Sequence, residues 1–134
     1  EATTEELNSL DVSKCTPAVA LRAMQLAIPT TARQRRQSQV WLALLEQHGT
    51  SPEISQTLTD LNREVRSGVR TVLAALAANG FVAASRDLDE EAAKFHAVID
   101  GLSLQSLTDP KTAPPALVEQ VITAMIADLG RPAK

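Results

Sequence analysis

The chain has 134 residues, 44% apolar and 22% charged, with a formal net charge of −3. That size and balance describe about one globular domain with a real core, and exclude a disordered chain. The acidic sum argues against a direct grip on nucleic acid, and no apolar run approaches the roughly 18 residues of a membrane span.

The single cysteine, Cys15, excludes an internal disulfide framework and fits a reducing, cytoplasmic setting. Tyr is absent, and Phe and Trp together number three, while Ala and Leu dominate. Those are the strongest helix formers, so an all-α domain is expected. The first residue is Glu1, and no cationic region followed by an apolar one opens the chain, so no signal peptide is expected. The missing methionine leads us to expect processing or a fragment of something longer.

Prolines and glycines divide the sequence into five helical segments. Leu7, Leu10 and Val12 read as the end of an earlier helix, a possible sixth. Thr16-Pro17 opens the first segment as N-cap and first-turn proline, and Pro29 stops it. The second runs from about Ala32 to Gln47. It starts at Arg33, Arg35 and Arg36 and turns apolar on every side from Val40 to Leu45, which predicts burial. Ser51-Pro52-Glu53 opens the third. Ile54, Leu58, Leu61, Val65, Val69, Val72 and Leu76 then recur at spacings of 4, 3, 4, 4, 3 and 4, one stripe closed by Asn79-Gly80. Asp89-Glu90-Glu91 opens the fourth, which reaches about Leu107; the fifth spans about Pro115 to Leu129.

The last two segments carry more apolar surface than one protomer needs. Val98, Gly101, Leu104 and Gln105 form a second face on the fourth. On the fifth, Leu117, Val121 and Ala124 lie on one side, and Val118, Ile122, Met125, Ile126 and Leu129 on the other. Glycine inside a helix costs about 1 kcal/mol relative to alanine, so Gly101 marks a close approach: a two-fold crossing, or a tight contact within the protomer. The expectation is a homodimer through a four-helix bundle, with Val98, Gly101, Leu104, Gln105, Val118, Ile122, Met125, Ile126 and Leu129 at its interface.

The stretch Asp89-Glu90-Glu91-Ala92-Ala93, then Val98-Ile99-Asp100-Gly101-Leu102-Ser103-Leu104-Gln105 and Asp109-Pro110, resembles the C-terminal domain of tetracycline-repressor (TetR) family regulators. Val40-Trp41-Leu42 and the long helix ending at Asn79-Gly80 fit the same order. The resemblance covers nearly the whole chain. It implies an orthogonal bundle of five or six helices over residues 1–134 that dimerises and binds a small effector. It also implies DNA contact only through an N-terminal helix-turn-helix, which nothing in this chain matches.

Core-facing bulky or polar residues are the candidates for the effector pocket: Met24, Ile28, Trp41, Leu45, His48, Leu61, Val65, Val69, Phe95 and Ile99. Each alone also serves as plain core, and Asn62 reads as exposed. Scarce aromatics and mid-helix acids favour a small apolar or weakly anionic effector over a polycyclic cation.

Other chemistry finds little support. His96 and Asp100 can pair four apart, but no nucleophile or metal motif joins them, so no enzyme, metal or cofactor is expected. Cys15 beside the Thr16 cap could be a low-pKa thiol, though an inert one is the plainer reading. Arg63, Arg66 and Arg70 read as a solvated face, and Arg33, Arg35 and Arg36 as a wet helix end or a dock for the missing DNA-binding region. A helical dimerisation module without a ligand is the alternative. An internal cavity of about 300 Å3 or more favours the sensor, and a filled core the module.

Overall fold

Thr16 starts the first helix by accepting the Val19 amide on its hydroxyl, with Pro17 in the first turn. The computed structural model describes residues 12–134, so Leu7 and Leu10 lie outside the described residues. A 3-10 turn, Val12–Lys14, precedes five helices: α1 (Pro17–Gln25), α2 (Ala32–Glu46), α3 (Pro52–Ala78), α4 (Leu88–Thr108) and α5 (Pro115–Asp128). No strand occurs among the described residues.

The helix ends follow local chemistry. α1 stops at Gln25, before the expected Ile28–Pro29 boundary. α2 is opened by a reciprocal cap. Thr31 accepts the Gln34 amide, and the Gln34 side chain accepts the Thr31 amide at 3.1 Å. Ser51 caps α3, which runs 27 residues and closes at Asn79, with Gly80 at φ +84° supplying the left-handed residue. α4 is capped by Asp87 rather than by Asp89, and Asp89, Glu90 and Glu91 fill its first turn.

α3 is the axle. It packs along α4, on α1, and at its far end on the 3-10 turn. α5 packs chiefly on α1. The core gathers Met24 and Ile28 with Val72, Leu73 and Leu76 of α3, Phe95 and Ile99 of α4, and Val118, Ile122, Ile126 and Leu129 around α5. Two serines tie α4 to the α1–α2 connector: Ser103 Oγ donates to the Ala27 carbonyl at 3.4 Å, and buried Ser106 donates to that of Pro29.

The α2 expectation is overturned. None of its fifteen residues is buried, and Val40 is 67% exposed. α2 lies over the bundle, touching α4 and α3 with one face, so its apolar run is not enclosed.

Arg86, in the α3–α4 connector, knots the opposite end. Its side chain is 9% exposed and reaches Glu91 Oε1 at 3.1 Å, Asp128 Oδ2 at 3.1 Å, and the carbonyls of Asp128 and Arg131 at 2.6 and 2.9 Å. The Asp128 carbonyl is at the C-terminal end of α5 and the Arg131 carbonyl lies just beyond it. Burial works against the Arg86 charge, but its bonds to Glu91 and Asp128 prevail and hold its pKa above the ordinary value.

Candidate functional site: a chamber beneath α2

Because α2 is held by one face only, a chamber of about 220 Å3 remains between it, α3 and α4. Trp41 and Ser38 of α2, Leu61 and Val65 of α3, Ile99, Ser103 and Leu107 of α4, and Ala27 and Pro29 line it. Asn62 and Asp100 stand at its rim, and the same two residues line an open groove between α3 and α4 with Thr59, Arg63, Arg66, His96 and Ala97. The chamber and the groove meet there.

Of the expected pocket residues, the structure brings Trp41, Leu61, Val65 and Ile99 to the chamber. Met24, Ile28, Val69 and Phe95 belong instead to the close-packed core at 0–6% exposure. Leu45 is 38% exposed and His48 is exposed; neither lines the chamber. Both sit near the far end of α2, beyond the turn that carries Trp41. Sequence reasoning missed Ala27, Pro29, Ser38, Ser103, Leu107 and the rim residue Asp100. Asp100 carried the one available signal, its spacing to His96.

The polar side of the groove is built on His96. His96 is 5% exposed, and its Nδ1 accepts a hydrogen bond from Arg66 Nε at 3.0 Å. Its Nε2 lies 3.3 Å from Asp100 Oδ2 but outside hydrogen-bond geometry, so this buried nitrogen makes no hydrogen bond and faces only that carboxylate. Burial raises the Asp100 pKa, against the pull of His96 and Arg66. Arg70 pairs with Asp89 at 2.7 Å. The arginine face of α3 is therefore not merely solvated: Arg66 and Arg70 both reach α4.

The expected interface stripe on α5 changes identity. Val118, Ile122, Ile126 and Leu129 are 0–4% exposed inside the protomer, because α1 covers them. Their side is core, not a surface for a partner. The face left open carries Leu117 at 38% exposure, with Val121 and Met125 half-buried. On α4, Leu104 is 42% exposed, Gln105 is exposed, and Val98 and Gly101 are half-buried. A Cβ on Gly101 would meet nothing within 4 Å, which removes the reading of a tight contact within the protomer.

Cys15 follows the plainer of its two readings, an inert thiol. It is 1% exposed, and burial pushes its thiol pKa up, the opposite of a reactive cap cysteine. Among the described residues no three His, Cys, Asp or Glu side chains are grouped to hold a metal ion, and no helix is long and apolar enough to cross a membrane.

The bundle thus walls an apolar chamber with three of its helices. Residues 17–131 match the family model of the BetI-type transcriptional repressor C-terminal domain, and the chain belongs to this TetR-type family. A crystal structure of a transcriptional regulator from Rhodococcus sp. Rha1 superposes with a TM-score of 0.71 at 20% identity, over 96% of this chain and 77% of that one. At that identity the likeness speaks for the fold. No curated protein matches the sequence.

Proposed function

We propose that this chain is the effector-sensing and dimerisation domain of a cytoplasmic TetR-type repressor, acting without catalysis. Its DNA contact is made through a helix-turn-helix outside residues 1–134. The observation that carries this reading is the chamber beneath α2. At about 220 Å3, and open toward the groove, the chamber falls short of the roughly 300 Å3 that would by itself favour a sensor, so it suits only a small apolar or weakly anionic molecule. Its wall α2 has no buried residue and is the helix least held by the core. A ligand that prefers one placement of α2 would shift the population of that placement. The exposed Arg33 and Arg36 at the start of α2 would pass the shift to the DNA-reading region.

Dimerisation is supported by the open apolar face of α4 and α5, with Gly101 and Leu104 on one helix and Leu117 and Val121 on the other. The modest chamber is the feature that would favour a ligand-free interaction module, and two measurements separate the readings. Sedimentation at micromolar concentration should show twice the 14.3 kDa chain mass; a stable monomer removes the dimer. A thermal-shift series with small apolar and weakly anionic compounds should stabilise the native chain but not Val65→Phe, which fills the chamber. Equal response of both proteins removes the sensor.

A further inference from the structure

The Arg66 contact sets which ring nitrogen of His96 can accept. A guanidinium has only donors, so Nδ1 must accept from Arg66, and the proton sits on Nε2. That Nε2–H is buried and unbonded. A buried donor left unsatisfied is costly and calls for an explanation. Beside it, the guanidinium of Arg66 has no carboxylate within ion-pair reach among the described residues, while Arg63 touches only Asp60, at 3.5 Å and well exposed. The amide of Asn62 joins them at the rim. Donors thus outnumber acceptors in the groove, and Asp100 is the one carboxylate lining it.

We infer that the groove is the head-group site for an amphipathic organic anion, a small monocarboxylate whose apolar body lies in the chamber against Trp41, Leu61 and Ile99. The inference rests on the effector reading above and names the ligand class of that site. The carboxylate is held by Arg66 with Arg63 and Asn62, and accepts the Nε2–H of His96. Asp100, its side chain 44% exposed, stands over Nε2 in the place the ligand's carboxylate takes, and swings outward on binding. The apolar chamber supplies affinity through burial, and the groove selects charge through charge-assisted hydrogen bonds.

The test is calorimetric titration of the chain with hexanoate, hexanol and hexylamine, repeated on Arg66→Gln and Asp100→Asn. Hexanoate should bind most tightly. Arg66→Gln should weaken hexanoate about tenfold while leaving hexanol within twofold, which also reports that the variant is folded. Asp100→Asn, which removes the competing carboxylate, should tighten hexanoate about tenfold. Hexanol or hexylamine binding as well as hexanoate, or hexanoate binding indifferent to Arg66→Gln, overturns the anionic head group and leaves the chamber as an effector site. No binding by any of the three, with the native fold intact by circular dichroism, overturns the effector reading and this inference together.

Discussion

Arg66 Nε donates to His96 Nδ1 at 3.0 Å across thirty residues of sequence, joining the exposed side of α3 to a buried ring on α4. With Nδ1 accepting, the imidazole proton sits on Nε2, 3.3 Å from Asp100 Oδ2 but outside hydrogen-bond geometry. Three charged or polar side chains are thereby lined up at the place where chamber and groove meet.

The arrangement makes stability depend on Asp100. Burial raises its pKa in the fold above the ordinary 3.8, so the native state holds the proton more tightly than the unfolded chain. The stability from the protonated form is full below pH 3.8 and is lost as pH rises through the raised value. Asp100→Asn should therefore melt roughly 1–3 °C above the native chain at pH 7, a small effect because the group is half exposed. The gap should close below pH 3.8. Melting curves of both proteins across pH 3 to 8 check this; a constant gap would contradict it.

Arg86 should be the costliest single charge to lose. Arg86→Met leaves Glu91, its side chain 8% exposed, with only Lys94 at 3.3 Å, removes the guanidinium donor from the Arg131 carbonyl, and leaves the Asp128 carbonyl with the Arg131 amide alone. The melting temperature should fall by roughly 5 °C or more. Arg86→Lys should recover less than half of the loss, since an ammonium cannot span three partners as a planar fork does. A Met variant within 2 °C of the native chain would show that the knot carries little.

Gly101 separates folding from assembly. Its open surroundings let Gly101→Ala fold, with a helix gain of about 1 kcal/mol in the isolated protomer. At a close two-fold crossing the added carbon should still weaken the dimer, by about tenfold in dissociation constant, and Gly101→Leu should weaken it more. Sedimentation of Gly101→Leu identical to the native chain would move the interface elsewhere.

Cys15 should be silent. At 1% exposure and with its thiol pKa raised, it should not react with a thiol reagent over minutes at pH 8, and should react at once in guanidinium. Prompt labelling of the native protein would restore the reactive-thiol reading.

Much of the fold was legible in residues whose effect is local. Pro17, Pro52 and Gly80 mark helix boundaries by backbone sterics alone, and the seven-residue stripe from Ile54 to Leu76 defines α3. The TetR-type likeness was carried by short motifs in the right order. Readings that depend on what covers a helix were harder. Both sides of α5 are apolar, so nothing in the sequence says that α1 takes the Val118–Ile122 side and leaves Leu117–Val121 open. The run from Val40 to Leu45 looks buried by composition, yet α2 rests on its neighbours by one face. The chamber was found in part for the same reason. Trp41, Leu61, Val65 and Ile99 reach it, but Met24 and Phe95, of the same character, go to the core. The Arg66–His96 bond left no trace in sequence spacing at all, whereas His96–Asp100 did.

The central claim is that the chamber takes a small molecule, and the protein carries its own reporter. Trp41 is the chain's single tryptophan and forms part of the chamber wall. A fluorescence titration of the native chain with hexanoate should give a saturable change in Trp41 emission at millimolar concentration or below, and Val65→Phe should abolish it. A linear, non-saturating response that is the same in both proteins would contradict the account.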